Sequence, residues 1–373
     1  MIDVNEFIDY LKTVNVDFFC GVPDSQLSPF CDYVEENCNN IIAANEGNAV
    51  AIASGYHLTT SRYPLVYLQN SGLGNIVNPV TSLTHPKVYS IPVIYVIGWR
   101  GEPGVHDEPQ HKKQGEITLE LLDLLDITHT NITKETSFDD LKEVFETQFA
   151  EKLENGESVA IVVSKGAFSD YKIKKSNDNT MSREEAIQTV TGHLTEDDMI
   201  VSTTGKSSRE LFEYREAQNQ GHGNDFLTVG SMGHSSSIAL GIALNNPDKK
   251  IFCFDGDGAI LMHMGSLALV GSKKPENYYH IMFNNSAHES VGGLPTIMED
   301  IDIKSIALSC GYREVFTAHN KDELENVLDE FKNSQGPVFL NIDVDISSRS
   351  DLGRPTTTPI ENKNDFMKKL QGE

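Results

Sequence analysis

Gly256-Asp257-Gly258, answered by Asn284-Asn285 after one more helix and strand, decides the reading of this chain. Asp257 and Asn285 stand 28 positions apart. Lys250-Ile-Phe-Cys-Phe-Asp255 precedes the first motif and Tyr278-Tyr-His-Ile-Met-Phe283 the second, both apolar runs with strand character. Each motif therefore sits where a strand gives way to a loop, on the edge of an α/β sheet where ligands bind. Glycines let a backbone approach phosphate oxygens, and successive N–H groups at a helix start form an anion nest. A carboxylate and an amide oxygen are hard ligands of the kind Mg²⁺ takes beside phosphates. Asp-Gly is common in plain turns, but strand ends on both sides point to a diphosphate held through magnesium.

The pairing resembles the signature of thiamine diphosphate (ThDP)-dependent enzymes, in which GDG is followed by NN about one βα unit later. The resemblance implies that Asp257 and Asn285 give side chains to Mg²⁺ and Ala287 its backbone carbonyl. The amides of Gly258 and Ala259, after Gly256, would face the diphosphate. A second segment, Ala43-Ala-Asn-Glu46-Gly-Asn-Ala-Val-Ala-Ile-Ala-Ser-Gly55, runs from a strand into a helix of small residues with one carboxylate at its start. Alone, Glu46 could simply complement the helix dipole. The segment is similar to the glutamate segment of the ThDP-dependent decarboxylases, which implies that Glu46 is catalytic and hydrogen-bonds N1′ of the aminopyrimidine. Glutamate before GDG is the decarboxylase order; transketolase-like chains have the reverse. By the same resemblance, Thr228-Val-Gly230-Ser-Met232-Gly-His would set the Gly230 carbonyl at the 4′-amino group and Met232 against the bent cofactor. Without those neighbours Met232 would read as a core gap-filler. Thr203-Thr-Gly205-Lys206-Ser207-Ser208 resembles a further phosphate-facing loop.

A chain of 373 residues is long enough for two domains with separate cores. Short β-rich runs alternate with helical patterns twice. In the first half they fall near 17–19, 40–42, 64–67, 92–97 and 158–163, with helices after Gly47 and around the Leu-rich run 119–125. In the second half they fall at 199–202, 225–229, before each signature motif, and at 337–341. Between the halves, Ser169-Asp-Tyr-Lys-Ile-Lys-Lys-Ser-Asn-Asp-Asn-Thr180 is polar and aperiodic, as in a linker. The expectation is an α/β protein of two doubly wound parallel-sheet domains. With the resemblance, residues 1–168 are expected to be the pyrimidine-binding domain, 169–181 the linker, and 182–373 the diphosphate- and Mg-binding domain with its tail. The resemblance adds that no middle domain is present and that the two half-sites meet across a subunit interface, in a homo-oligomer of at least two chains.

A formal net charge of −25 argues against nucleic acid or an anionic membrane as partner. Met1-Ile-Asp-Val-Asn-Glu has no leader pattern, and no apolar stretch reaches membrane-spanning length. Five cysteines without CxxC spacing read as reduced thiols, so a cytoplasmic protein is expected.

The motifs Gly21-Val-Pro-Asp24-Ser25, Asn70-Ser-Gly-Leu-Gly-Asn75, Gly104-Val-His-Asp-Glu-Pro-Gln110-His111-Lys112-Lys113-Gln114 and Asp351-Leu-Gly-Arg354-Pro resemble one branch of the family. That branch has two domains and converts 3-phosphonopyruvate to phosphonoacetaldehyde and CO₂ in phosphonate biosynthesis. Pyruvate-type members would show paired histidines where His111 is followed by Lys112. Physically, Arg100, His106, His111, Lys112 and Lys113 gather cations after the strand ending at Ile97, well placed for a small 2-oxo acid with a second anionic group. Arg100, Lys112, Lys113 and Arg354 are the candidate substrate cations. Gln110 and His111 are expected to face the reacting carbons, and Asp24 and Ser25 to move a proton or orient the carboxylate. Sulfopyruvate decarboxylation, or another decarboxylation or carboligation on this fold, is the nearest alternative. A non-catalytic protein of the same fold is disfavoured because Glu46, Asp257 and Asn285 occur together. A nicotinamide-dependent dehydrogenase is disfavoured because no strand runs into GxGxxG.

Overall fold

The computed structural model describes residues 1–372. The chain divides into two compact units at Lys174/Lys175, inside the polar stretch 169–181, which has neither helix nor strand. In the first unit the strands are β1 (Phe18–Gly21), β2 (Asn39–Ile42), β3 (Leu65–Gln69), β4 (Ile94–Gly98), β5 (Thr128–Ile132) and β6 (Val159–Val163). They form a parallel sheet in the order β2-β1-β3-β4-β6-β5. Strands β4 and β6 are buried throughout, which is why they read as unbroken apolar runs rather than as alternation.

The second unit carries β7 (Met199–Ser202), β8 (Asp225–Leu227), β9 (Ile251–Gly256), β10 (Tyr278–Asn284), the short pair β11 (Ala287–His288) and β12 (Leu294–Pro295), β13 (Glu314–Ala318) and β14 (Val338–Asp343). Its six-stranded parallel sheet runs β13-β14-β10-β9-β7-β8, and β11 and β12 pair antiparallel beside it. Helices cover both faces of this sheet over two separate apolar clusters. In both units the motifs lie beyond the carboxyl ends of the strands, where a doubly wound sheet opens a crevice.

Three local readings change. Strands β5 and β13 escaped the sequence pattern because both are sheet edges with polar or half-exposed residues. The expected strand 225–229 stops at Leu227, leaving Val229 exposed. The helix expected around 119–125 starts ten residues earlier, as Pro109–Leu124. Proline suits a first helical turn, since its fixed φ is helical and its missing N–H would be unbonded there. Gln110, His111, Lys112 and Lys113 therefore stand on the first turns of a helix, not in a loop. No helix among the described residues is long and apolar enough to cross a membrane.

Candidate active site

In the second unit one cleft is lined by Lys206, Ser207, Met232, Gly256, Asp257, Gly258, Ala259, Asn285 and Ala287. Strand β9 delivers Gly256, and a helix, Asp257–Met262, starts at once. A Cβ on Gly258 would lie 3.0 Å from the His288 ring and 3.2 Å from Met232 Cε, so glycine here lets the turn and the methionine close together. Met232 sits between Ser231 and Gly233, both at positive φ, and its Cε packs beside Gly258.

Asp257 is buried, and loss of hydration pushes its carboxyl up to about 6, although Thr296 Oγ1 donates to Oδ2 at 2.6 Å. A buried carboxylate whose side-chain partner is a neutral hydroxyl fits a divalent cation. Asn285 is also buried, with Oδ1 accepting from the Ala287 N–H at 3.0 Å, so the three expected metal groups lie on one turn and its neighbour. Gly205, at φ +97°, leads into the helix Lys206–Ala217. Lys206 Nζ donates to Glu289 Oε1 at 2.7 Å and Ser348 Oγ at 2.6 Å, so its charge is already engaged. Gly230 is half-buried and does not line the cleft.

In the first unit the helix Glu46–Thr60 begins on Asn45, whose side chain caps it by accepting from the Asn48 N–H at 2.9 Å. Glu46 is buried, and Asn75 Nδ2 donates to its Oε2 at 2.7 Å. Gly72 lies against the same carboxylate: a Cβ there would stand 2.3 Å from Glu46 Oε1. Asp24, after β1, is fully buried and receives Gln69 Nε2 on Oδ1 at 2.7 Å. Burial pushes its carboxyl up to about 6 against the pull of Arg100 and nearby backbone N–H groups. The turn from Gln69 to Gly72 thus touches both carboxylates.

Arg100 is only in part a free cation. Its Nε and Nη2 donate to Asp107 at 2.8 and 2.6 Å, and Nη1 to Ser25 Oγ at 3.1 Å. Burial alone would raise Asp107, yet Arg100 and the Glu108 and Gly101 N–H groups hold it well below the usual carboxylate range. Burial, then Arg100, pull His111 down to about 4, so its ring is neutral at pH 7, and its buried Nδ1 has no hydrogen-bond partner among the described residues. Gln110 is half-buried and Lys112 exposed; Lys113 is exposed and pairs with Glu116 at 3.2 Å. Arg354 is exposed on the tail.

Comparison with known proteins converges on one family. The N-terminal TPP binding domain of thiamine pyrophosphate enzymes matches residues 4–123, and the C-terminal TPP binding domain matches 203–342. The chain is 33% identical to phosphonopyruvate decarboxylase of Streptomyces viridochromogenes, over 97% of this chain and 93% of that one. The chain belongs to the ThDP-dependent decarboxylases. A phosphonopyruvate decarboxylase of Streptomyces hygroscopicus is 31% identical over 97% of this chain and 92% of its own. Sulfopyruvate decarboxylase of Methanosarcina acetivorans is 26% identical over 90% and 89%.

This ThDP-dependent decarboxylase also lines its cleft with Arg183 and Glu289, which sequence reasoning passed over, and with His288. Arg183 is buried, grips Glu210 through Nε and Nη2 at 2.8 Å each, and donates to Glu289 through Nη1. Burial alone would raise Glu289, but Arg183 and Lys206 outweigh it and hold the carboxyl below its ordinary value. His288, beside Gly258, is pulled down to about 4 by burial and is neutral. Nothing local marks Arg183 or Thr296, since each reaches the site from another element.

Proposed function

We propose that this decarboxylase converts 3-phosphonopyruvate to phosphonoacetaldehyde and CO₂, with ThDP held through Mg²⁺. The reading is carried by the occurrence in one chain of a buried Glu46 on the first unit and a buried Asp257–Asn285–Ala287 turn on the second. Asp257, Asn285 and the Ala287 carbonyl would hold Mg²⁺. Gly258, Ala259 and the Gly205-Lys206-Ser207 turn would hold the diphosphate, and the Gly230 carbonyl and Met232 the rest of the cofactor. ThDP, when bound, supplies the electron sink for the pair left as CO₂ departs.

The protein's own groups then orient charge and move protons. Glu46, fixed by Asn75 and hemmed by Gly72, would hydrogen-bond N1′ of the aminopyrimidine at a defined carboxylate oxygen. Asp24, with its carboxyl near 6, can both hold and release a proton around neutral pH. Ser25 Oγ, which accepts from Arg100, directs its own hydrogen away from the guanidinium towards a substrate carboxylate. His111 is neutral and its Nδ1 unpartnered, as a group facing the reacting carbons requires. Because Arg100 shares its charge with Asp107, the exposed Lys112 supplies much of the positive field for the phosphonate.

The same reading takes the enzyme to be a cytoplasmic homo-oligomer, at least a dimer. All five cysteines are free, and the helix Glu46–Thr60 exposes a stripe of Asn48, Ala51, Gly55 and Leu58 suited to close approach of a second chain. The deciding assay is CO₂ release from phosphonopyruvate, sulfopyruvate and pyruvate, with and without ThDP and Mg²⁺. Phosphonopyruvate is expected to give the highest kcat/KM, and only with both additions. Preference for sulfopyruvate, or turnover without ThDP, would overturn the reading.

A further inference from the structure

The segment that opens the second unit is tied to the turn carrying Asn285. Asn177 Nδ2 donates to the backbone carbonyls of Asn285 at 3.1 Å and of Val344, just past β14, at 3.0 Å. Its Oδ1 accepts the Asn179 N–H at 3.3 Å, which fixes the amide so that both donors point at the two carbonyls. Asn179 Nδ2 reaches only the Val344 carbonyl, at 2.9 Å. Two residues earlier, Lys175 Nζ donates to the Gly292 carbonyl. Half-buried and exposed residues alternate along 171–180, as in an extended strap with one face down. Asn177 and Lys175 therefore hold the Asn285–Gly292 turn at its two ends.

Farther along, that turn is held through Glu289 by Arg183 and Lys206 and through the Ser286 carbonyl by the Thr296 N–H, whereas Asn177 grips the carbonyl of Asn285 itself. The turn contains Ser286 at φ +53° and Gly292 at φ +124°, with a two-residue pairing of β11 with β12. With the Asn285 carbonyl clamped against the end of β14, the side-chain Oδ1 and the Ala287 carbonyl are left with a narrow range of positions.

We propose that Asn177 is a positioning residue for the magnesium site: by clamping the Asn285 carbonyl to β14 it presents Asn285 and Ala287 to the metal. This rests on the assignment of Asn285 as a metal ligand made above. Residues that orient metal ligands from behind typically change metal affinity by about 10–100-fold. Removing the amide should therefore raise the Mg²⁺ requirement for cofactor binding without removing a ligand.

The test is calorimetric ThDP binding across a Mg²⁺ series in wild type, Asn177→Ala, Asn177→Asp and Asn179→Ala, with kcat measured on the same samples. Asp keeps the size of Asn but cannot donate to two carbonyls, so it serves if the alanine variant fails to fold. Both Asn177 variants are expected to need about tenfold more Mg²⁺ for half-maximal ThDP binding. Their kcat should return towards wild type at saturating Mg²⁺, and Asn179→Ala should leave the Mg²⁺ requirement unchanged. Folded Asn177 variants with the wild-type Mg²⁺ requirement would overturn the proposal, as would an equal shift in Asn179→Ala. If Asp257→Ala also kept the wild-type Mg²⁺ dependence, the metal assignment itself would fall, and this inference with it.

Discussion

Replacing Gly72 by alanine adds one methyl group, and its position can be read directly. The new Cβ would stand 2.3 Å from Glu46 Oε1, 2.5 Å from Cδ and 2.6 Å from Cγ. Ordinary contact begins near 3.4 Å, so the carboxylate must retreat by about 1 Å. Nothing in the backbone opposes the change: Gly72 has φ −75° and ψ −9°, an ordinary right-handed conformation. An alanine there would by itself stabilise by about 0.4–1 kcal/mol through the unfolded chain. The clash works against this, since overpacking a filled site costs about 1–3 kcal/mol. Net stability should therefore fall only slightly. Function should not fare so well, because misplacing a reacting group by about 1 Å can lower turnover about 10²-fold. Gly72→Ala is thus expected to fold, bind ThDP, and lose about two orders of magnitude in kcat. In a Glu46→Gln background the same change should do little more, because the two act on one carboxylate. The assay is steady-state CO₂ release by the four proteins of that cycle, with urea melts alongside. A folded Gly72→Ala enzyme with wild-type kcat would refute the placement of Glu46 as the activating group.

Glu46→Gln keeps the side chain's shape but removes its charge; cofactor should still bind while kcat falls by about 10²–10⁴-fold. Asp257→Ala should abolish calorimetric ThDP–Mg²⁺ binding with the far-UV spectrum unchanged; retained binding would remove Asp257 from the metal site. Asp24→Asn should stabilise the cofactor-free protein at pH 7 by on the order of 2 kcal/mol in urea melts, while lowering kcat. The sign follows from the raised carboxyl: the folded chain keeps its proton to about pH 6 and the unfolded chain only to its ordinary 3.8. Wild-type stability therefore falls as pH rises through that window, and the mutant's advantage should vanish below about pH 4. Lys113→Ala should be nearly silent, since Lys113 is exposed and its ion pair with Glu116 is solvated. Lys112→Ala should reduce kcat/KM for phosphonopyruvate more than for pyruvate; equal losses would move the phosphonate pocket elsewhere.

Every strand with company on both sides could be read from sequence, whereas of the four edge strands of the two large sheets only β2 and β8 could. β4, β6, β9, β10 and β14 are flanked on both sides, and they present nearly continuous runs of buried aliphatic and aromatic residues. β5 and β13 have one neighbour each, so Thr128-His-Thr-Asn-Ile132 and Glu314-Val-Phe-Thr-Ala318 need no such composition. The start of Pro109–Leu124 was hidden for a related reason. Its first turns carry Gln110, His111, Lys112 and Lys113, which cover no core. In the site, what was legible is what the chain holds locally: a strand end, a glycine, a carboxylate. Partners that arrive from afar left no mark. Thr296 meets Asp257 across 39 positions, Arg183 meets Glu289 across 106, and Asn177 meets Asn285 across 108. Only the folded chain brings them together.

The two buried aspartates show why those distant partners matter. Asp24 and Asp257 are both stripped of water, and both carboxyls are pushed up to about 6. Their neighbours differ in kind. Asp24 lies near a guanidinium, but Asp107 has taken that guanidinium with two hydrogen bonds and is itself held by two backbone N–H groups. The cation near Asp24 is thereby partly neutralised, and Asp24 is left able to keep a proton close to neutral pH. Asp257 accepts from the Thr296 hydroxyl and from backbone N–H groups of its own turn, while the nearby Arg183 is committed to Glu210 and Glu289. In the proposed enzyme this difference separates two jobs that the sequence writes with the same letter. A carboxylate whose local cations are all engaged elsewhere is best compensated by a charge brought in with the cofactor, which suits Asp257 to the proposed metal site. A carboxylate beside a half-neutralised arginine can exchange a proton with the substrate without being locked as an anion, which suits Asp24 to the proposed acid–base role. Asp107 belongs to neither the substrate nor the cofactor, yet it sets this division. Removing its charge should lower the Asp24 carboxyl by freeing Arg100, so an Asp107→Asn enzyme should shift the acidic limb of its kcat/KM profile downward. An unchanged limb would assign that proton to another group.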